Sequence, residues 1–588
     1  MKDFLKYVLA TVTGLVFVGM SLLIVIFFVL IMFVSNTNST STIQDSSLLH
    51  IVLNGELKER KVEDPLSLFW EEGMPQLGLR ETILSIERAC SDKRIKGIYL
   101  KAGTLLADMA AVEELREALI DFKKSGKFIV AYGDVYTQGC YYLCSVANVL
   151  VLNPIGEIEW SGLSSQPVFY KDMLEKFGVR MQVFKVGAYK SAVEPFIRTE
   201  MSDENRLQVS SFLHSIWNKM VSDVSKSRRI SEDSLQVYAD RYIMMADPEQ
   251  MLKVKLTDFL MYESDVKKIL RNKVGLRGKK ELSLISPEQY LASSKDKYTA
   301  NNSVAVYYAT GDIVSMPIEG MLSEDMICAP KVIDDLEKLA ADDHVKAVVL
   351  RINSGGGSAY ASEQIWNTVR RLNEQKPVVV SMGGMTASGG YYIASGAGYL
   401  MADATTLTGS IGIFGIFPDV SELLKDKLGL SFDVTKTNEH ADFGTISRPL
   451  NQSEQKLLQR YVDRGYQLFL KRVAIGRKMP LIRVDSLAQG RVWTGEQAFH
   501  CKLVDGVGTL RQAIKVAAKQ SRLSSYRIEN YPKPSPWYEK WLEAKTDNYL
   551  EKQLRASLGE YYTPFMMIKT LKNRDYVQAR MPYNPNIQ

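Results

Sequence analysis

The stretch Val345-Lys346-Ala347-Val348-Val349-Leu350-Arg351, which runs on into Asn353-Ser354-Gly355-Gly356-Gly357-Ser358, decides how this chain is read. It is a β-branched run ending in a glycine loop, and its strand half occurs twice, since Ile95-Lys96-Gly97-Ile98-Tyr99-Leu100-Lys101 has the same pattern. The spacing from residue 95 to residue 345 then recurs without a gap. It sets Gly139-Cys140-Tyr141-Tyr142 on Gly389-Gly390-Tyr391-Tyr392, Ser161-Gly162 on Ile411-Gly412, Glu204 on Glu454 and Arg241 on Arg491. Past Pro248 the spacing shortens slightly, so that Glu249-Gln250 faces Glu496-Gln497 and Lys255-Leu256 faces Lys502-Leu503. One such match is chance, whereas a constant register over this length is a duplicated domain. The first copy spans 49–280 and the second 303–520, joined by a polar linker at 281–302 and followed by an appendage at 521–588 that contains Pro532, Pro534 and Pro536.

Within the second copy, segments 303–308, 345–352, 377–381 and 398–401 are expected as strands, and 362–374 and 387–395 as helices. Strand, glycine loop and helix in repeated order give an α/β fold with parallel strands. In such sheets the chemistry sits at the carboxyl ends of the strands, where these glycines fall.

Composition agrees with a folded, multidomain chain. At 588 residues, 46% hydrophobic and 24% charged, it is too long for one core and too apolar for disorder. Lys and Arg number 73 against 67 Asp and Glu, with no basic run, so nucleic acid is not expected as a partner. Five scattered cysteines form no C-x-x-C pair, no H-E-x-x-H pattern occurs and no Walker loop is present, so neither metal nor nucleotide cofactor is expected.

The amino terminus departs from this composition. Residues 8–34 carry no charge, roughly 40 Å of helix against the ~30 Å of a bilayer core, and they end in Ser35-Asn36-Thr37-Asn38-Ser39-Thr40 without a small-residue cleavage site. The expectation is a transmembrane anchor at 8–34, a short cytoplasmic terminus at 1–7 bearing Lys2 and Lys6, and a tether at 35–48. The two copies then lie on the extracytoplasmic side, against the lipid bilayer that the anchor enters.

The copies differ where chemistry would sit. Gly355-Gly356-Gly357 has no glycine-rich partner at Ala102-Gly103-Thr104; Ser388 in Thr386-Ala387-Ser388-Gly389-Gly390 faces Gln138; Ser410 in Thr408-Gly409-Ser410-Ile411-Gly412 faces Trp160. A serine where a strand meets a helix can act as a nucleophile beside the first helical N–H groups. By sequence alone it reads more readily as a helix N-cap, and the glycine triplet is as readily a flexible turn. None of the five histidines (His50, His214, His344, His440, His500) has a neighbouring motif that ties it to Ser388 in a Ser-His-Asp arrangement.

At these residues the chain resembles the signal peptide peptidase A family of serine proteases in its long, membrane-anchored, duplicated form. The likeness rests on Val186-Gly187-Ala188-Tyr189-Lys190-Ser191-Ala192-Val193-Glu194-Pro195-Phe196 in the first copy. In the second it rests on the S-G-G-G-S, A-S-G-G-Y-Y, T-G-S-I-G-I-F-G and Arg491-Val492-Trp493-Thr494-Gly495 motifs. The resemblance implies two tandem ClpP/crotonase-like domains and an ATP-independent Ser/Lys dyad. Ser388 would be the nucleophile, Lys190 the general base donated by the other copy, and Ser410 the group that orients the lysine. The N–H groups of Gly389 and Gly357 would form the oxyanion hole, with Gly357 chosen over Gly356 by likeness to the Clp loop, and Gly355 stands where the family usually has proline. It further implies cleaved signal peptides and other hydrophobic peptides as substrates, an inner (plasma) membrane location with the catalytic domains on the periplasmic side, and a homotetramer. A lysine base must be largely neutral, which burial away from carboxylates achieves. A crotonase-like acyl-CoA enzyme and an inactive membrane scaffold are the alternatives. The first needs no nucleophilic serine, and the second would not keep Ser388, Lys190 and Ser410.

Overall fold

The computed structural model describes residues 2–37, 43–61, 75–277, 281–293, 300–317, 326–533 and 577–581. In the first copy, Ser47–Lys58 is flanked by Gln76–Gly78 on one side and by Ile95–Leu106, Phe128–Tyr136 and Val149–Ile158 in turn on the other, all parallel. The second copy repeats this with Ser303–Thr310, Val345–Ser354, Val378–Ala387 and Tyr399–Ala402, also parallel. The expected helices appear as Ala359–Gln375 and Gly389–Ala394. Helices cover the strands, so the strands read as continuous apolar runs: Val348, Val349, Leu350, Val378, Val379 and Val380 are all buried.

The duplication extends to individual hydrogen bonds. Tyr141 donates its hydroxyl to the Leu256 carbonyl and Tyr391 to that of Leu503; Lys127 Nζ bonds the Ala89 and Asp92 carbonyls and Lys376 Nζ those of Leu339 and Asp342. Each copy also has a 26-residue helix, Asp203–Arg228 or Gln452–Arg477. Ser202 and Asn451 cap their N-termini, and each ends on a left-handed residue, Arg229 or Lys478.

A third, mixed sheet joins the copies. Its order is Met326–Cys328, Asp312–Val314, Gly356–Ser358, Val577–Arg580, Phe414–Asp419 and Arg180–Lys185. The last pair is antiparallel, from Phe414↔Lys185 to Asp419↔Arg180, so a strand of the first copy is stitched to one of the second just before Lys190.

Three boundaries differ from the sequence reading. The stretch expected as a linker carries a strand, Leu284–Ile285, paired with Leu48 and Leu49, and a helix, Pro287–Ser293, whose buried Tyr290 donates its hydroxyl to Asp92. The first copy therefore continues past 280, because a few apolar side chains in a polar segment find its open flank. The appendage likewise supplies Arg527–Tyr531, parallel to Ser303–Thr310, and Val577–Arg580 in the third sheet. The first helix runs Lys2–Thr37, beyond the expected 8–34, and exposes Leu15, Phe17, Leu22 and Val25. Among the described residues no helix is long and apolar enough to cross a membrane; part of the expected span has side chains outside that set.

Candidate active site

The Val378–Ala387 strand delivers Ser388 to the start of the Gly389–Ala394 helix with φ 55° and ψ −112°, a backbone conformation that costs about 1–3 kcal/mol in a non-glycine residue. Two bonds hold it there: the Ser388 N–H donates to the Gly409 carbonyl, and the Tyr392 N–H donates to the Ser388 carbonyl, both at 2.8 Å. Its side chain makes no cap hydrogen bond, which removes the N-cap reading. The hydroxyl is instead turned to Lys190, whose Nζ lies 2.8 Å from Ser388 Oγ.

Lys190 reaches this point from the other copy and is held at every step of the approach. Val186 donates its N–H to the Ile413 carbonyl, Tyr189 donates to Gln489, and Gln208 bridges the two copies by bonding the Tyr189 carbonyl and accepting from the Val492 N–H. Gly490, at φ 77°, lets the backbones touch, since a Cβ there would fall 2.6 Å from the Lys190 nitrogen. The Lys190 amine also lies 3.1 Å from both Ser410 Oγ and the Ser410 carbonyl. Ser410 is itself at φ 48°, and its N–H donates to the Arg491 carbonyl at 2.7 Å.

Ser388, Lys190 and Ser410 are all fully buried. Burial pushes the Lys190 amine well below its ordinary value, and no carboxylate among the described residues offsets it. The neighbouring Glu194 is turned away, accepting from the N–H and hydroxyl of Ser202 and from the Asn205 amide at the start of the Asp203–Arg228 helix. Burial thus disfavours the protonated form of an amine that stands within reach of a serine hydroxyl, an arrangement able to take that proton.

Gly389 opens its helix, so its N–H has no partner within it. The glycine loop abuts this amide: a Cβ on Gly356 would fall 2.8 Å from the Gly389 nitrogen. The Gly356 N–H is engaged with Ser354 Oγ at 3.1 Å, and Gly357 is the next residue along, paired with Ile313. His440, the counterpart of Lys190 in the second copy, stands apart near Glu439 and Glu454.

In the first copy the equivalent place is filled. Gln138, which faces Ser388 in the repeat, accepts at its Oε1 from the Ser161 and Gly162 N–H groups and donates to the Gly162 carbonyl. Trp160, which faces Ser410, is buried with its indole N–H on the Leu235 carbonyl. Gln208 and Gly490 shape the lysine's path, and the sequence marked neither, because their only signal is proximity to a residue in the other copy; Gly412, part of the T-G-S-I-G motif, also borders it, since a Cβ there would fall 3.1 Å from Lys190 Cδ.

The pattern of Peptidase family S49 matches residues 121–277 and 370–524, one stretch in each copy, and that of Clp protease matches residues 315–406, which include Gly357 and Ser388. The chain is 36% identical over 529 residues to Protease 4 of Haemophilus influenzae, covering 86% of this chain and 84% of that one. The chain belongs to peptidase family S49. It is also 36% identical over 461 residues to Protease 4 of Salmonella typhi, covering 77% of this chain and 74% of that one. It is 31% identical over 489 residues to the chloroplastic Serine protease SPPA of Arabidopsis thaliana, covering 82% and 70%. As an S49 peptidase the chain is a serine protease, built from two tandem copies of one α/β domain.

Proposed function

We propose that this S49 protease works through a dyad assembled across its two copies, with Ser388 as nucleophile and Lys190 as general base. The observation that carries this is the 2.8 Å approach of a buried lysine amine to a strained serine hydroxyl. The neutral amine accepts the Ser388 proton as Oγ attacks the scissile carbonyl, then delivers it to the leaving amine. Ser410 receives the amine's N–H groups and aims its lone pair at Ser388. The developing oxyanion is met by the Gly389 N–H and that of Gly357, since the Gly356 N–H is already bound to Ser354.

Two features support action on hydrophobic peptides at a membrane. The uncharged stretch 8–34, preceded by Lys2 and Lys6, is long enough for an anchor that would leave the catalytic copies on the periplasmic side of the plasma membrane. In the mixed sheet at the site, Gly356–Ser358 and Phe414–Asp419 hold the extended Val577–Arg580 segment between them by backbone pairing, a mode of binding that is indifferent to side chains. Cleaved signal peptides fit both features, and a homotetramer would enclose such sites.

The test uses the detergent-solubilised full chain with casein and with a synthetic apolar signal peptide. Wild type is expected to cleave both, while Ser388→Ala and Lys190→Ala, folded by circular dichroism, lose at least ~10²-fold in kcat/KM. Activity retained in Lys190→Ala would place the base elsewhere.

A further inference from the structure

The Arg491-Val492-Trp493-Thr494-Gly495 motif supplies none of the reacting groups, yet its backbone runs between them. Val492–Thr494 is antiparallel to Leu407–Gly409, with Gly409 opposite Val492. The carbonyl of Gly409 holds the Ser388 N–H and that of Arg491 holds the Ser410 N–H, so both serines are registered against this one strand pair. Its other flank meets the first copy. Val492 donates its N–H to Gln208 Oε1 at 3.1 Å, the Thr494 and Ser215 hydroxyls lie 2.9 Å apart, and Gln497 Nε2 donates to Ser211 Oγ at 3.1 Å. Positions 208, 211 and 215 form one stripe of the Asp203–Arg228 helix, turned to the second copy.

Gln208 differs from the other two members of the stripe in what else it touches. Its Nε2 donates to the Tyr189 carbonyl at 3.1 Å and to Ser191 Oγ at 3.0 Å, the residues on either side of Lys190. It also donates to Asn205 Oδ1 at 3.1 Å, so three acceptors share its two hydrogens. One amide, 2% exposed, therefore ties the backbone that flanks the lysine to the strand pair that fixes the serines.

The direction of that amide is forced. The Glu194 carboxylate only accepts, so Asn205 turns its Nδ2 to it at 2.9 Å, which points Asn205 Oδ1 at Gln208 and calls for the Gln208 Nε2 there. Oε1 is left for Val492, whose N–H can only donate. The chain Glu194–Asn205–Gln208–Val492 is buried and satisfied, and such a chain is rigid when whole and costly to break. Helix formation does not require it. The matching turn of the Gln452–Arg477 helix carries Leu457 and Leu458, in the copy without Lys190.

We propose that Gln208 is the positioning residue of the lysine base, holding residues 189 and 191 so that the Lys190 amine stands 2.8 Å from Ser388 Oγ across the junction of the copies. The proposal rests on the Ser388/Lys190 reading. Gln208 acts through Lys190 and reaches none of the reacting atoms itself. Without its amide the chain loses its tether on both sides of Lys190, the amine drifts from Ser388, and water gains access to it. A displacement of about 1 Å costs about 10²-fold in rate. A wetter amine also keeps its proton to higher pH.

The experiment measures kcat and KM for the synthetic apolar signal peptide between about pH 6 and pH 10. It uses the full chain in detergent as wild type, Gln208→Met, Gln208→Glu, Ser215→Ala and Lys190→Ala, each checked for folding by circular dichroism. Gln208→Met keeps the volume and removes every bond. It is expected to lose about 10²-fold in kcat, with KM within about twofold of wild type and the midpoint of the pH profile moved up. Gln208→Glu keeps the acceptor for Val492 but turns a carboxyl toward the lysine's chain, and its midpoint is expected to move further up. Ser215→Ala breaks a bond of the same seam without touching residue 189 or 191 and is expected to keep the wild-type midpoint. Gln208 variants that match wild type overturn the proposal. So does a loss of kcat with an unshifted midpoint, or a shift of equal size in Ser215→Ala, because either is what a purely structural seam would give. If Gln208→Met does not fold, the midpoint of Gln208→Glu decides by the same criterion. Activity retained in Lys190→Ala would instead count against the dyad, whereas an inactive Lys190→Ala beside unaffected Gln208 variants removes this proposal alone.

Discussion

At the scale of the residue, the properties that matter at Lys190 are its burial and the absence of a carboxylate around it among the described residues. Its folded-state pKa is depressed, so between that value and the ordinary 10.5 the unfolded chain binds a proton that the folded chain refuses. The lysine therefore costs stability at neutral pH, and the cost disappears as pH rises through 10.5. Lys190→Met, which keeps the volume and removes the amine, is expected to melt above wild type at pH 7 while being inactive. That gap should close as pH approaches about 10.5, as read by melting temperature against pH. In activity the sign is opposite: kcat/KM rises with pH as Lys190 loses its proton, with a midpoint well below that of a free lysine. Ser388 was legible as an unusual serine, but its two readings, cap or nucleophile, differ only in where the hydroxyl points. Sequence does not encode that direction locally; the φ of 55° and the Lys190 contact decide it.

At the scale of the element, the strands of both copies were readable because parallel strands covered on both faces must be continuous apolar runs. Less readable were the short pieces that lend themselves to a neighbour's edge: Leu284–Ile285, Arg527–Tyr531 and Val577–Arg580 are too short to show a period. The loop around Gly490 is of the same kind, since its glycine is required only because Lys190 passes against it. Gly490→Ala adds a methyl within 2.7 Å of the Lys190 backbone at a φ of 77°. The expected result is a folded protein whose kcat falls by about 10²-fold, since displacing a catalytic group by about 1 Å has that effect. Its pH profile should shift toward that of a less buried lysine, a change that loss of stability alone would not produce.

At the scale of the molecule, the copies are locked by a buried charge cluster as well as by the mixed sheet. Arg351 of the second copy, fully buried, bonds Glu59 of the first at 3.0 Å and Glu114 at 2.7 Å, with Asp403 at 3.7 Å. Burial raises Glu59 to about 7 and holds Asp403 well above the carboxylate range, so one guanidinium serves two reluctant acids. Arg351→Met leaves them buried without their cation and is expected to lower stability by about 3–5 kcal/mol. Because carboxylates with raised pKa values destabilise the fold increasingly as pH rises through them, the loss should be larger at pH 8 than at pH 5. Chemical denaturation at the two pH values measures this. A loss that did not grow with pH would mean that Arg351 acts by packing alone.

The sequence by itself determined the duplication, the α/β class, the strand ends that carry the glycines, and the asymmetry that sets Ser388 and Ser410 against Gln138 and Trp160. All of these are local or periodic features, written in spacing and side-chain type. Only the tertiary structure decided that Lys190 of one copy meets Ser388 of the other, that its amine is dry, and that Val577–Arg580 fills the slot beside them. Those facts depend on which surfaces pack together and on the water this excludes, and burial is a property of the assembled chain that no single segment carries.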